Sequence, residues 1–458
     1  MKKWKVRVLL FPRVRNFHNE KKSFMNKRYE FTQALAEADR CLLCHDAPCS
    51  KGCPAGTDPG KFIRKFRMQN VKGAIRTIKK NNILGGACGI LCPTARLCEK
   101  ECAGALFDRP IQIGKIQDFL VSYGRRIGFN VFDKPSATLE KVAVIGSGPA
   151  GLSCGAELAQ KGYSVTIFEK MAAPGGVLRY GVPDYRFSRA YLKEEIADVR
   201  YLGVQFKCNH PIEKEEDAQT LFDKGFRAVF IATGLWDAAS ILDKKPIGVY
   251  SSVEFLSMPH TGRLNRLTQQ VRGKKVAVVG GGSVAMDCAG YAVRLGALDV
   301  YLIYRRSYSQ MPAQEDERIE TLENNVHFLI LNQPKAYTET ENGFVSGIRL
   351  ARTQLTPAQG SNRRSPVEIK GSEWTLKVDL VVEAIGNKAF DNADRIYPGV
   401  DTNEKNLINA CLDTCRTSKP GIFAGGDIVR GPSLVVNAVQ DGKTAAGMIN
   451  RYLKKKRR

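Results

Sequence analysis

Two copies of one local pattern, at residues 141–170 and 275–306, constrain the fold of this 458-residue chain more than any other feature. Each copy reads as an apolar strand, a glycine-rich turn, a helix and a second strand. In that context the turn places a pyrophosphate at the helix N-terminus, where free N–H groups and the helix dipole favour an anion. The sequence therefore predicts an α/β chain with two Rossmann-like dinucleotide-binding domains.

The first copy has glycine at the positions that this kind of turn requires. Gly146 permits the tight turn, Gly148 lets the backbone approach the pyrophosphate, and Gly151 lets the helix pack against the strand. The second strand ends at Glu169, which we expect to accept hydrogen bonds from an adenosine ribose rather than to be a plain surface carboxylate. The expected contacts of this turn are Gly146, Ser147, Gly148, Pro149, Ala150 and Gly151.

The second copy differs from the first at the end of its second strand. Gly280, Gly282 and Ala285 occupy the three small positions, but the strand ends in Arg305 and Arg306, with no carboxylate. Guanidinium groups there suit the 2′-phosphate of NADPH. Two sites in one chain indicate two different dinucleotides, so we predict FAD in the first and NADPH in the second. NADH stays an alternative, because the two arginines also fit a solvated charge pair.

Two apolar runs ended by glycine, at 228–234 and 379–386, predict that the second dinucleotide domain interrupts the first. We interpret them as the two crossings between the domains. The second run contributes Ala384, Ile385 and Gly386 as further expected dinucleotide contacts.

The C-terminal region predicts a return to the flavin site. A strand is followed by Gly425, Gly426 and Asp427, and then by an apolar helix from about Leu434. Asp427 is placed to bond the flavin ribityl chain, and the helix N-terminus would stabilise negative charge on the reduced flavin. Gly426 and Val435 are expected contacts for the same reason of position.

Eight of the 13 cysteines lie between residues 41 and 102 in short spacings. They suit the thiolate ligands of two iron–sulfur clusters, which take about four protein ligands each. The odd total and the chain length disfavour a disulfide framework, and structural zinc is a second possibility although only one C-x2-C pair occurs. Spacing alone counts as ligands Cys41, Cys44, Cys49, Cys53, Cys88, Cys92, Cys98 and Cys102.

The formal net charge of +24 suggests a nucleic-acid binder only until the charges are located. Residues 1–28 and 451–458 together account for 15 of the 24, so the ends form basic tails and no nucleic-acid partner is expected. No apolar stretch approaches the roughly 18 residues of a membrane span, so no membrane partner is expected either. Met25 is an alternative start, because a helix-like segment leads from there to Cys41.

Several segments together resemble a known family. CLLCHDAPCSKGCPAGTDPGKFI, GILCPTARLCEKEC, RPIQIGKIQDF and PGGVLRYGVPDYRF resemble the electron-input half of dihydropyrimidine dehydrogenase, in particular its stand-alone bacterial subunit. The small subunit of glutamate synthase is similar over the same length, from about residue 29 to 453. The resemblance implies an N-terminal helical domain with two [4Fe-4S] clusters, followed by an FAD domain into which the NADPH domain is inserted.

The resemblance also implies a ligand set that differs from the one counted by spacing. It assigns one cluster to Cys41, Cys44, Cys49 and Cys102, and the other to Cys53, Cys92, Cys98 and the side chain of Gln117, and it leaves Cys88 out. It implies flavin contacts at Gly176, Val177 and Arg186, and nicotinamide-cofactor contacts at Gly281, Gly282, Ser283, Val284, Arg305 and Arg306. Ser283 replaces the aspartate that is common in the family.

The function implied by the resemblance is electron input to a partner. Electrons from NADPH would pass through FAD and the two clusters to an FMN-containing dihydropyrimidine dehydrogenase subunit that reduces uracil or thymine. A glutamate synthase partner, an autonomous NADPH:ferredoxin or acceptor oxidoreductase, and a non-enzymatic scaffold for clusters are the alternatives. We expect a cytoplasmic location, because exposed iron–sulfur thiolates are prone to oxidation.

The expected domain boundaries follow from these segments. The parts are a basic tail at 1–28, a helical bis-[4Fe-4S] domain at 29–136, the first part of the FAD domain at 137–247, the NAD(P)H domain at 248–378, the second part of the FAD domain at 379–453 and a basic tail at 454–458.

Overall fold

A computed structural model describes residues 28–212, 220–358, 361–390 and 399–457. The predicted basic tail before Arg28 and the alternative start at Met25 lie outside the described residues. Within those ranges the chain forms a helical N-terminal part and two parallel-sheet domains, which confirms the predicted fold class.

The secondary structure follows the chain in this order. The helices are α1 (Phe31–Asp39), α2 (Pro48–Lys51), α3 (Pro59–Arg67), α4 (Val71–Asn81), α5 (Gly85–Leu91), α6 (Ile113–Arg126), α7 (Pro149–Gln160), α8 (Val177–Tyr180), α9 (Arg189–Tyr201), α10 (Ser252–Ser257), α11 (Leu264–Val271), α12 (Ser283–Arg294), α13 (Glu315–Glu323), α14 (Asp427–Arg430) and α15 (Val435–Arg457). The strands are β1 (Leu139–Ile145), β2 (Tyr163–Phe168), β3 (Gln205–Lys207), β4 (Phe226–Ile231), β5 (Asp237–Ala238), β6 (Val249–Ser251), β7 (Lys275–Val279), β8 (Asp299–Tyr304), β9 (His327–Ile330), β10 (Asn332–Glu339), β11 (Val345–Ala358), β12 (Ser361–Glu368), β13 (Trp374–Lys377), β14 (Leu380–Glu383), β15 (Asn387–Lys388) and β16 (Ile422–Ala424).

Helices α1 to α6 form the N-terminal domain around an aromatic core. Phe31 meets Phe66 and Phe119 edge to face, with ring centroids 5.8 and 5.9 Å apart. Helix α3 begins where the Asp58 side chain accepts a hydrogen bond from the Lys61 N–H, and Pro59 occupies the first helical position. The apolar packing holds the cysteine-bearing loops, which have little regular structure of their own.

The first parallel sheet has the strand order β16, β4, β1, β2, β3. Residues 142–145 of β1 are buried, as expected for a central strand covered on both faces. Strand β1 leads through the first glycine turn into α7, and the C-terminal helix α15 packs along α7. The N- and C-terminal parts of the chain therefore meet at this turn.

The second parallel sheet has the strand order β6, β14, β7, β8, β9, and it corrects one predicted boundary. Strand β14 pairs in parallel with β7, with Val381 opposite Ala277, so it belongs to the second dinucleotide domain. The boundary expected between residues 378 and 379 is therefore wrong. The physical reason is that a short apolar run shows burial on both faces of a sheet but not which of two sheets contains it.

The chain crosses between the two domains on a pair of short strands. Strands β5 and β15 pair antiparallel, with Asn387 opposite Ala238, so the outgoing and returning segments lie side by side. The runs predicted as crossings overlap β4 and β14, and each of them directly precedes one of these two short strands in the sequence. All strands of the second sheet lie between β4 and β16 in sequence, so the second domain interrupts the first. An antiparallel sheet of β10 to β13 packs on the second sheet.

The helical domain shares a hydrophobic core with the first dinucleotide domain, whereas the second dinucleotide domain has a core of its own. One core joins the N-terminal helices to the first sheet and α15, from Ala34 through Val144 to Leu453. A separate core, which includes Val278 and Leu302, belongs to the second dinucleotide domain. The helical domain and the first dinucleotide domain are therefore packed as one body.

Candidate redox site

Four cysteine side chains line one cavity of the N-terminal domain. Cys41 follows α1, Cys44 lies in the next loop, Cys49 is on α2, and Cys102 precedes the 3-10 turn of residues 103–106. The remaining lining is mainly apolar and includes Ile63. Cys102 lines this cavity and Cys53 does not, which agrees with the grouping that the resemblance implies.

Burial makes two of these thiols, Cys41 and Cys49, poor acids in the absence of a metal. It raises the pKa of Cys49 to about 11, and neighbouring Cys102 and Cys41 add to the effect. The pKa of Cys41 is raised by burial as well. A coordinating metal deprotonates a thiol outright, so a buried thiol set of this kind fits a metal cluster better than free thiols. The donor set thus fits the first predicted [4Fe-4S] cluster.

A second group contains Cys53, Cys92 and Cys98. A hydrogen bond with Cys88 raises the pKa of Cys92 most, followed by burial and by the charges of Cys88, Cys53 and Cys98. Burial also raises the pKa of Cys98, with Glu99 and Cys53 adding to it. Cys88 therefore lies beside this group, on α5, although the resemblance excludes it as a ligand.

Gln117 is buried on α6, and its Nε2 donates a hydrogen bond of 2.5 Å to the carbonyl oxygen of Gly85, the first residue of α5. A buried amide held at this end of α5 suits the predicted ligand role, which stays a prediction. Among the described residues, no three His, Cys, Asp or Glu side chains converge closely enough to hold a single metal ion. A cubane distributes its four protein ligands over four iron atoms, so its ligands need not converge on one point.

Of the three glycines in the first turn, only Gly148 has open space where a side chain would lie, and this is the position at which a pyrophosphate would approach the backbone. A Cβ on Gly146, whose φ is 99°, would lie 2.4 Å from the Ala232 oxygen, and one on Gly151 would lie 2.0 Å from the Gly146 oxygen. A Cβ on Gly148 would meet nothing within 4 Å. The turn is therefore closed against the protein at two glycines and open at the third, which fits a pyrophosphate above the N-terminus of α7.

Other predicted flavin contacts converge on the same turn. A Cβ on Gly176 would lie 2.6 Å from the Cα of Gly148, and one on Gly426 would lie 3.2 Å from the Cβ of Ala150. The carboxylate of Glu169 accepts a hydrogen bond of 3.0 Å from the Ser147 N–H. Pro149 is the first residue of α7, Val177 is the half-exposed start of α8, and Val435 is the start of α15.

Two acids hold the C-terminal edge of this site, and the sequence had indicated only one of them. Burial raises the pKa of Asp427, the predicted ribityl contact, to about 7, although a hydrogen bond from the Ser433 N–H acts to lower it. Asp441 accepts bonds from the Gly426 N–H at 2.8 Å and from Arg430 at 2.7 and 2.8 Å. Asp441 thereby fixes the turn that carries Asp427. The sequence indicates this role of Asp441 only by placing an acidic residue among the apolar residues of a helix.

The second glycine turn repeats the arrangement of the first. A Cβ on Gly280 would lie 2.3 Å from the Ala384 oxygen, and one on Gly281 would lie 2.6 Å from the Tyr304 ring. A Cβ on Gly282 would meet nothing closer than 3.8 Å. Of the other predicted contacts, Ala285 is buried on α12, Val284 and Ile385 are more than 40% exposed, and Gly386 has a φ of 117°.

The arginines predicted to read the 2′-phosphate lie at the carboxyl end of β8. Arg305 is exposed, and the Nε of Arg306 donates a hydrogen bond of 3.0 Å to the Arg364 carbonyl oxygen. Within the part of the chain that the structure describes, neither guanidinium forms an ion pair with a carboxylate. Both positive charges are therefore available to an anion. Their role as specificity residues stays a prediction.

Two predicted contacts take part in a network between the domains. Arg186, implied as a flavin contact, bonds Asp287 at 2.8 Å and Glu317 at 2.7 Å in the second domain. Ser283, at the start of α12, donates a hydrogen bond of 2.6 Å to Glu317. Sequence reasoning missed Asp287 and Glu317, because nothing in their local pattern indicates a partner that is 101 or 131 residues away in the chain.

Comparison with known proteins agrees with this geometry. Residues 140–442 match the pyridine nucleotide-disulphide oxidoreductase family, and residues 16–128 match dihydropyrimidine dehydrogenase domain II, 4Fe-4S cluster. The chain belongs to the pyridine nucleotide-disulphide oxidoreductase family. This family member is an NAD(P)H-dependent iron–sulfur flavoprotein, with FAD and [4Fe-4S] clusters as its cofactors.

Relatives of this oxidoreductase carry the same two parts. It is 37% identical to the NAD-dependent dihydropyrimidine dehydrogenase subunit PreT of Escherichia coli K12, over 92% of this chain and 95% of the relative. It is 36% identical to the NADP(+)-dependent formate dehydrogenase subunit beta of Moorella thermoacetica, over 89% and 60%. It is 30% identical to the glutamate synthase [NADPH] small chain of Escherichia coli K12, over 92% of each.

Solved structures support the fold of the same oxidoreductase. FprA of Mycobacterium tuberculosis in complex with NADPH has a TM-score of 0.58 at 18% identity, covering 69% of this chain and 85% of FprA. Thioredoxin reductase of T. acidophilum has a TM-score of 0.51 at 18% identity, covering 69% and 99%. None of the described helices combines the length and the apolar character that crossing a bilayer requires.

Proposed function

We propose that this chain is the electron-input subunit of a dihydropyrimidine dehydrogenase. It takes electrons from NADPH through FAD and two [4Fe-4S] clusters and delivers them to an FMN-containing partner subunit that reduces uracil or thymine. The similarity to PreT subunits over 92% of the chain supports the partner class. A cytoplasmic location suits a protein of this cofactor set.

The observation that carries the proposal is the shared core of the cluster domain and the flavin domain. Both redox sites are built around one continuous hydrophobic core that includes α15, so they are joined by packing and not by a linker. The nicotinamide domain has its own core and is joined by the β5–β15 pair. NADPH, the two-electron carrier, would thus bind to a separate domain. The iron–sulfur clusters, which carry one electron at a time, would lie in the same packed body as the flavin.

The residues of the chain contribute binding and orientation to this chemistry. The N-terminus of α7 and that of α12 each offer free N–H groups to a pyrophosphate beside an open glycine, Gly148 and Gly282. A flavin held there would supply the change from two-electron transfer, as a hydride, to one-electron transfer to iron–sulfur centres. The apolar lining around Cys41, Cys44, Cys49 and Cys102 limits the access of water to the first cluster site.

NADPH as the donor rests on Arg305 and Arg306, because their charges suit a 2′-phosphate. The relatives differ on this point by name, since PreT is called NAD-dependent and the glutamate synthase small chain is named for NADPH. The same arginines favour the second candidate function, the small subunit of an NADPH-dependent glutamate synthase, in which only the partner and its substrate change.

Co-purification of the native protein, followed by identification of the bound subunit, tests the proposal directly. The isolated chain should oxidise NADPH with an artificial acceptor but should not reduce uracil or thymine. Addition of the FMN-containing partner should bring pyrimidine reduction. Recovery of a glutamate synthase large subunit instead would establish the second candidate, and pyrimidine reduction by the isolated chain would contradict the subunit assignment.

A further inference from the structure

Lys443 on α15 connects the flavin domain to the loop that carries Cys53. Its Nζ donates hydrogen bonds of 2.5 Å to the Ala55 carbonyl oxygen and 2.6 Å to the Asn81 carbonyl oxygen. Ala55 lies two residues after Cys53, and Asn81 is the last residue of α4. One ammonium group therefore holds two elements of the cluster domain.

The residue before Lys443 touches the flavin turn. A Cβ on Gly442 would lie 2.3 Å from the Ala150 oxygen, in the first turn of α7. Consecutive residues of α15 thus contact the first glycine-turn helix and the loop that follows Cys53.

The charge of Lys443 acts on the second cysteine group. Burial lowers its pKa, while the negative charges of Glu157, Cys53 and Cys88 oppose that effect. Both of its hydrogen-bond acceptors given above are neutral carbonyl oxygens, so they leave its positive charge in place. Because the group is largely removed from water, this charge is screened less than a surface charge would be.

The Cys53 loop is held by other polar contacts as well. The Thr57 N–H donates to the Cys53 sulfur at 3.4 Å, and the Thr57 hydroxyl accepts a hydrogen bond of 3.2 Å from Asn82. Asn81 donates to the Thr57 carbonyl oxygen at 3.3 Å. Hydrogen bonds to ligand sulfurs and nearby charge are two of the means by which a protein sets cluster potentials.

We infer that Lys443 is a positioning residue that raises the reduction potential of the cluster held by Cys53, Cys92 and Cys98. The inference rests on the proposed function and adds to it a residue that favours electron flow from the flavin to the clusters. A cation beside the cluster favours the state with one more electron, so the cluster next to the flavin domain is made the readier acceptor of flavin electrons. Replacing the cation with a neutral side chain of similar length lowers that potential.

The test compares Lys443→Met, Lys443→Arg and the matched control Lys454→Met, which removes an exposed lysine from the same helix. Iron content is measured first, and midpoint potentials are then obtained by redox titration followed by EPR. In Lys443→Met we expect one cluster to become about tenfold harder to reduce, about 59 mV for a one-electron couple, with the other unchanged. Lys443→Arg and Lys454→Met should leave both potentials near the wild-type values.

Lys443→Gln covers the case in which Lys443→Met does not fold, since glutamine keeps a donor for one carbonyl and has no charge. Its expected shift is the same. Equal shifts of both clusters, no shift in either neutral variant, or the same shift in Lys454→Met would each overturn the inference. The potential shift and delivery of electrons to the partner are separate measurements. A shift without delivery contradicts the proposed function alone, and delivery without a shift contradicts the role of Lys443 alone.

Discussion

Arg186 of the flavin domain and Asp287 of the nicotinamide domain form a buried ion pair, in which one guanidinium nitrogen lies 2.8 and 2.9 Å from the two carboxylate oxygens. The side chains are only 16% and 8% exposed. Glu317 binds the same guanidinium and also accepts a hydrogen bond from Ser283. The interface between the domains is therefore connected to the N-terminus of α12, where we place the NADPH pyrophosphate.

Removal of Arg186, the cation of this ion pair, should lower the free energy of unfolding markedly. Arg186→Met leaves Asp287 buried without its partner, so we expect the free energy of unfolding to fall by about 3 kcal/mol or more. Lys335→Met breaks the more exposed Lys335–Glu368 pair and should cost less than about 1 kcal/mol. Chemical denaturation of both variants checks this. Equal losses would contradict it, and FAD content shows whether Arg186 also contacts the flavin.

The sequence was sufficient for the parts of the site that depend on local spacing. The two glycine turns lie where the fingerprints put them, because each strand, turn and helix is formed by one continuous segment. The apolar run at 380–383 was assigned to the wrong domain, since burial does not identify the sheet.

The contacts that depend on long-range packing could not be obtained from local patterns. Asp441, Lys443 and Asp287 act through partners that are distant in sequence or in another element. Cys102 joins the first cysteine group because residues 85–113 fold back on the first loop, which spacing does not encode. The resemblance supplied that grouping before the structure did, since a related fold contains the packing.

The cysteine groups can be separated by metal analysis. Cys102→Ser should lower the iron content from about eight to about four atoms per chain, because Cys102 is a predicted ligand of the first cluster. Cys88→Ser is the matched control and should keep about eight, although Cys88 lies beside Cys92. Iron and acid-labile sulfide assays of the purified variants measure both. Loss of iron in Cys88→Ser would restore the ligand set counted by spacing.

The choice of nicotinamide cofactor depends on charge at the end of β8. Exchange of Arg305 and Arg306 for alanine should raise the KM for NADPH about tenfold or more and leave the KM for NADH nearly unchanged, since only NADPH has the 2′-phosphate. Arg349→Ala removes an exposed arginine from the adjoining sheet and is the control. Steady-state kinetics with an artificial acceptor provide the values. Equal changes for both cofactors would make the two arginines ordinary surface charges.

Asp427 should make stability depend on pH. Burial raises its pKa to about 7 in the folded chain, well above the ordinary value of 3.8. The folded state therefore holds this proton more tightly than the unfolded state. Its contribution is complete below about pH 4 and is lost as the pH rises from there through 7, by about 4 kcal/mol in all.

Urea denaturation of FAD-free wild type and Asp427→Asn between pH 5 and 8 tests this dependence. The wild type should lose stability relative to the variant as the pH rises, because asparagine does not ionise. Parallel profiles would contradict the burial effect. With FAD bound, ribityl hydroxyl donors would stabilise the carboxylate and lower its pKa. The difference between the two proteins should therefore shrink in the FAD-loaded state, and it should stay unchanged if Asp427 makes no contact with the flavin.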